Sequence, residues 1–319
     1  MLATSLARQE GGSMRIGISC YDFSVAELVE IGVAAERHGF DSLWLGEHIL
    51  APVAYDSFHP TQPGDAGHAG GSDHNGKPIV DPSVCLTDPL IALTAVAAAT
   101  RTLRLATGIY LLPLRHPLAV ARSVATLAEA SGGRFSLGVG SGWLREEFAA
   151  LGVPFSGRTA RLEEQIEIVR RALAGGPFEF RGEHYDIDRV QLCPEAVRVP
   201  IVMGGNTDQA LRRAVRLGDA WFSSGIPTWE QALRLRDRIA QLTAEYGRAA
   251  PLRTTWRVAA PDPELLQRYA AEGFEDVLVM AYDVWNGADA DARRASLATA
   301  ACRLGLSAPV PSIARGVHQ

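Results

Sequence analysis

Lysine is almost absent from this 319-residue chain: Lys77 stands alone, and arginine fills the other basic positions. The 31 basic residues face 36 acidic ones, a formal net charge of -5. That balance excludes the basic surface that nucleic acid binding requires. Cysteine is scarce too. Cys20, Cys85, Cys193 and Cys302 lie far apart and form no CxxC pair. A disulfide framework is thereby excluded, and a reduced, cytoplasmic protein is expected. The longest apolar run, LIALTAVAAA at 90–99, is about half the length that spans a bilayer, so no membrane segment is expected. Residues 1–13 have no apolar core of the kind a secretory signal carries; they read as a flexible leader, with Met14 as a second candidate start. Metal-ligand spacing is missing: there is no HxH or HExxH, and His59, His68 and His74 are scattered through a glycine-rich stretch. No G-x-S-x-G nucleophile elbow occurs.

What is present is a rhythm. Short apolar runs alternate with amphipathic stretches from Met14 onward. RIGIS (15–19), DSLWLGEH (41–48), LRLATGIY (103–110), RFSLGVGSG (134–142), PIVMGG (200–205), DAWFSS (219–224), RTTWRVA (253–259) and DVLVMAY (276–282) read as strands. The stretches 24–39, 88–100, 116–131, 159–175, 208–218, 228–247, 263–273 and 290–305 read as helices, with Asp88 as N-cap and Pro89 at the first helical position of the second. Strand-then-helix units argue for a parallel sheet. Eight of them argue for an α/β fold of the closed (β/α)8, or TIM barrel, type over an open doubly wound sheet. One domain over 14–306 and a tail over 307–319 are expected. Two insertions interrupt the rhythm: a Gly-, His-, Pro- and Asp-rich loop at 51–87 after strand two, read as a substrate lid, and a hairpin at 176–199 between helix four and strand five.

In a barrel the chemistry sits where strands end. Strand two ends in Glu47-His48, strand three in Gly108-Ile109-Tyr110, strand four in Gly140-Ser141-Gly142-Trp143. Strand five ends in Gly204-Gly205-Asn206, strand six in Ser223-Ser224, and strand eight in Tyr282. The run GVGSGW fails the G-x-G-x-x-G dinucleotide spacing, because Trp143 or Arg145 falls where the last glycine is required. It is either a tight turn or a strand end that lets a flat ligand approach the backbone. Gly204-Gly205-Asn206 precedes a helix that starts near Thr207, a place where phosphate is favoured, with Asp208 opposing it. His48 is either a proton donor near neutral pH or a structural histidine.

The stretches AAERHGFDSLWLGEH, the block from DPLIALTAV through GVGSGWLREEFAALG, RLEEQIEIVRR, FRGEHY and PIVMGGNTDQALRRAVRLGDAWF together resemble the luciferase-like flavin and deazaflavin oxidoreductases. GSGWLREEF and TGIYLLPLRHP are most similar to members that use coenzyme F420. The resemblance implies a (β/α)8 barrel, usually homodimeric, with the cofactor ring at the mouth. It implies a non-proline cis peptide at Gly108-Ile109 backing that ring. It implies cofactor contacts from Gly140, Ser141, Gly142, Trp143, Gly204, Gly205 and Asn206. His48, with Glu47 beside it, is the implied catalytic pair, and Tyr21, Tyr110 and Tyr282 are candidates for substrate contact. Trp143 stands where sugar-phosphate dehydrogenases of the family have an acid, which lowers the expectation of a sugar substrate. The implied activity is F420-dependent hydride transfer to or from a small organic substrate. The alternatives are a reduced-FMN-dependent monooxygenase using oxygen and a partner reductase, and a non-catalytic cofactor-binding barrel.

Overall fold

The structure, a computed structural model, describes residues 14–59 and 80–307. Ten strands follow in chain order: β1 (Arg15–Cys20), β2 (Ser42–Leu45), β3 (Arg104–Thr107), β4 (Phe135–Val139), β5 (Phe178–Arg181), β6 (Asp186–Val190), β7 (Ile201–Gly204), β8 (Ala220–Phe222), β9 (Arg253–Arg257) and β10 (Asp276–Met280). Eight of them close into a parallel barrel in the order β1-β10-β9-β8-β7-β4-β3-β2. Ile18 pairs with Leu43 on one side and Val279 on the other, which closes the ring at β1. The expected (β/α)8 architecture is therefore present. The expected hairpin is present as well: β5 and β6 pair antiparallel, outside the barrel.

Several helices start where the sequence offers side-chain acceptors. Ser24 and Glu27 form a capping box before Val25–Arg37. Asp88 accepts from Leu90 and Ile91 N–H ahead of Pro89–Ala99. Thr207 caps Asp208–Leu217, whose Leu211, Ala214 and Val215 face the barrel wall. Inside the barrel Trp44, Ala106, Val202, Phe222 and Leu278 form a plug, with Trp44 and Phe222 stacked at 5.0 Å between ring centroids. The barrel is thus a filled core and any ligand must sit above the plug.

The lower end is closed by charge. Arg15 donates to both oxygens of Asp276 at 2.7 and 2.6 Å, and Arg104 adds a bond at 3.3 Å. A cavity of about 380 Å³ opens there, lined by Ser42, Arg104, Ser136, Arg253 and Asp276. These residues stand at the starts of strands, the stabilising end of this fold.

The strands end earlier than the apolar runs suggest. β2 stops at Leu45, and β4 stops at Val139. DVLVMAY stops at Met280, whose pairing with Ser19 is the last of the β1–β10 ladder, and the chain coils into a short helix, Ala281–Val284. Tyr282 is therefore on a helix above the mouth and not at a strand end. The leader 1–13, residues 60–79 of the 51–87 loop and residues 308–319 of the tail lie outside the described residues.

Candidate active site

The chain leaves β3 through a bulge. The Gly108-Ile109 peptide is cis, Gly108 N–H donates to Leu45 O at 2.7 Å, and Tyr110 N–H donates to Gly138 O at 2.7 Å. The Ile109 side chain drops into a slot that glycines leave open. A Cβ on Gly140 would stand 1.9 Å from Ile109 Cδ1, and one on Gly204 would stand 2.8 Å from Ile109 Cγ2. Gly140 and Gly204 thus make room for a neighbouring side chain below the mouth. Gly142 has φ +76°, and a Cβ there would press on the Phe148 ring at 2.8 Å.

Beyond Gly142 the chain turns into the helix Arg145–Ala150, which carries Glu147. Glu147 is buried and accepts from Ile49 N–H at 2.5 Å and Leu50 N–H at 3.4 Å. Its other oxygen lies 3.2 Å from His48 Nδ1. A carboxylate can only accept, so Nδ1 carries the proton and Nε2 remains for exchange. Trp143 stands edge-on to three rings: His48 at 5.6 Å, His59 at 5.2 Å and Tyr55 at 6.2 Å. Tyr21 meets His48 edge-on at 6.3 Å. The described part of the 51–87 loop is tied to the same helix, since Asp56 N–H and Ser57 Oγ donate to Glu146 at 2.9 and 2.7 Å. Burial, with help from His48 and Arg257, pushes the His59 imidazole down to about 4. It is neutral at physiological pH.

Two expected roles do not fit the geometry. Glu47 points away from His48. Its carboxylate accepts from Arg115 at 2.6 and 3.1 Å and from Leu111 N–H at 2.7 Å, so it is spent on anchoring the segment after the bulge. Tyr110 is buried at 3 % exposure under the Arg115 guanidinium, 4.3 Å from its ring centroid, out of a substrate's reach. Both residues lie past the ends of their strands, β2 at Leu45 and β3 at Thr107, where strand alternation no longer sets side-chain direction. Asn206 also positions more than it reaches. Its amide bridges to Ser224 O at 2.7 Å and accepts from Ser224 N–H at 2.9 Å, locking the loops after β7 and β8 together. Asp208 is drawn off by Arg238 and Arg212, which hold its carboxyl down at about 2. Its opposition to a phosphate at the Gly204–Thr207 loop is therefore largely offset.

Two residues escape a reading of strand ends. Glu147 lies in the acidic start of a helix and looks like a solvent-facing charge. Arg257 closes β9, and the signal available was its place at the C-terminal end of RTTWR. Its Nε donates to Ser19 Oγ at 3.1 Å and an Nη donates to Gly108 O at 3.0 Å. Its guanidinium lies 4.7 Å over the Phe222 ring, directly above the plug. Among the described residues no group of three His, Cys, Asp or Glu side chains could hold a metal ion, and no helix is long and apolar enough to cross a membrane.

Comparison with known proteins adds to this geometry. The family model described as luciferase-like monooxygenase matches residues 2–299. The chain is 35% identical over 224 residues to an uncharacterized protein of Mycobacterium tuberculosis, covering 70% of this chain and 73% of that one. It is 32% identical over 211 residues to an F420-dependent glucose-6-phosphate dehydrogenase of Nakamurella multipartita, covering 65% of this chain and 54% of that one. The monooxygenase RslO1 from Streptomyces bottropensis shares the fold, with a TM-score of 0.64 at 18% identity over 92% of this chain and 98% of its own.

Proposed function

We propose that this chain, which belongs to the luciferase-like monooxygenase family, is an F420-dependent oxidoreductase that moves a hydride between the deazaflavin and a small organic substrate. The observation that carries the reading is the buried His48–Glu147 pair beside Trp143 at the barrel mouth. The similarity to an F420-dependent dehydrogenase supports the cofactor.

The residues present fit such a cofactor. With Ile109 tucked between Gly140 and Gly204, the bulge presents its backbone to the mouth. Ser141, Gly142 and Trp143 form an adjacent wall that is partly open. Gly205 has φ +113° in the loop before helix Asp208–Leu217, where backbone N–H groups are available to a phosphate. When bound, F420 supplies a hydride donor or acceptor. The chain supplies the proton. His48, held by Glu147, exchanges it through Nε2 with the substrate atom whose charge changes as the hydride moves. Trp143, Tyr55 and His59 cover this side of the mouth and limit water.

A second reading, a reduced-FMN monooxygenase supplied by a partner reductase, follows the family's own description. Titrating the purified protein with F420 and FMN, each oxidised and reduced, separates the two. Tight F420 binding with weak FMN binding supports hydride transfer. Preference for reduced FMN, with oxygen consumption, replaces it.

A further inference from the structure

Arg257 carries a positive charge that no carboxylate among the described residues answers. It sits at the C-terminal end of β9, above the aromatic plug, bonded to Ser19 from β1 and to the Gly108 carbonyl in the bulge after β3. Its backbone N–H is held by Ser223 Oγ at 2.8 Å, so the side chain starts from a fixed point. Burial lowers the guanidinium only to about 10, leaving it charged at neutral pH. Among the described residues Tyr282 is the one group that favours that form, and no carboxylate contributes. Two acids beside the bulge and mouth are committed elsewhere, Glu47 to Arg115 and Glu147 to His48 and the Ile49 and Leu50 N–H groups. A charge withdrawn from water without a counter-charge is costly.

The free part of the group has a definite shape. A guanidinium has five N–H donors. One bond to Ser19 and one to Gly108 leave three, grouped at the outer end of the fork. Arg257 is half-buried, so protein surrounds it on most sides while part stays open. Arg257 helps depress the protonation of His59, whose ring meets Trp143 edge-on, so the guanidinium lies near the Trp143 cluster. A planar fork with a fixed stem and an open end is suited to bidentate recognition of a carboxylate.

We infer that Arg257 is a substrate-reading residue and that the substrate of this site carries a carboxylate, which pairs with the outer edge of its guanidinium. The inference rests on the proposed reading of the mouth as the substrate-facing site, and not on which cofactor fills it. The carboxylate supplies the counter-charge that no described acid provides, and it anchors the substrate while His48, on β2's side of the mouth, handles the proton. Ser19 and the Gly108 carbonyl are positioning partners that aim the fork.

The probe is benzoate against its neutral isostere benzamide, titrated into the full-length protein at pH 8.5 and followed by tryptophan fluorescence. At that pH unperturbed histidines are neutral while the guanidinium is charged, so a preference for the anion reports Arg257 and not His48 or His59. Benzoate is expected to bind at least about tenfold tighter than benzamide, the scale of one charge-assisted pair. Arg257→Gln should erase the preference, and Arg257→Lys should keep part of it, because the charge stays and the fork is lost. Equal binding of the two probes by the unmodified protein, or no saturable benzoate binding, overturns the inference whether or not the variants fold. So does an Arg257→Gln protein of native circular dichroism that still prefers benzoate. Parallel titration with F420 and FMN keeps the two readings apart. A benzoate preference together with FMN selectivity retains Arg257's role and removes the F420 assignment; F420 selectivity without the preference does the reverse.

Discussion

A Cβ added to Gly140 would stand 1.9 Å from Cδ1 of Ile109, closer than two carbons approach. The glycine at the end of β4 is thus required by the isoleucine of the neighbouring bulge. Gly140→Ala must lift Ile109 toward the mouth or push the strands apart. Overpacking of this kind costs about 1–3 kcal/mol. Thermal unfolding should show it, and F420 affinity should fall with it, since the bulge backbone moves. Ile109→Ala in the Gly140→Ala background should restore much of both, because it reopens the slot. A Gly140→Ala protein with native stability and native cofactor affinity would refute the packing argument.

The His48–Glu147 pair makes a separate prediction. Glu147→Gln keeps an oxygen for the Ile49 N–H and removes the charge that fixes His48. Loss of such an orienting partner costs about 10- to 100-fold in activity. The loss should fall on kcat, with KM and F420 affinity little changed and the melting temperature nearly native. His48→Ala should show the same pattern more strongly. Unchanged turnover in His48→Ala would remove the proton role altogether.

The barrel was legible because periodicity and capping agree. Asp88-Pro89, Thr207 and Ser24 mark helix starts, and the structure uses all three as N-caps. The cis peptide at Gly108-Ile109 was foreseen through family resemblance, not through the residues themselves. Side-chain direction was the weak point. Glu47 and His48 are neighbours, yet one anchors the segment after the bulge and the other pairs with Glu147. Whether Tyr110 reaches substrate depends on the bulge after β3, where the two-residue period breaks. Glu147 and Arg257 were missed because their partners, His48 and Gly108, lie 99 and 149 residues away in the chain.

His59 ties stability to pH. Burial, first, and then His48 and Arg257 lower its imidazole from 6.5 to about 4. Between those values the unfolded chain binds a proton that the folded chain does not. Stability therefore falls as pH drops from about 6.5 toward 4 and loses nothing more from this group below that. The loss is roughly 2 kcal/mol after allowance for the partly exposed ring. Urea unfolding across this range should show the slope, and His59→Asn should flatten it. Identical slopes in both proteins would mean that His59 is not buried as described.

Glu47 offers a test that separates anchoring from catalysis. Its side chain is 1% exposed and its oxygens are satisfied by Arg115 and Leu111 N–H. Removing one partner of a buried ion pair leaves an uncompensated charge, a loss of about 3–5 kcal/mol when burial is complete and less here, because Arg115 is partly open. Arg115→Ala should therefore destabilise more than Glu47→Gln, which retains an acceptor for Leu111 N–H and leaves the more exposed guanidinium with Asp88 at 3.7 Å. A catalytic Glu47 would give the opposite ranking in activity: Glu47→Gln would lose turnover at native stability, while Arg115→Ala would act only through folding. Melting temperatures and kcat for the two variants decide the matter. The geometry expects Glu47→Gln to keep most of its turnover, and what it loses should track its loss of stability.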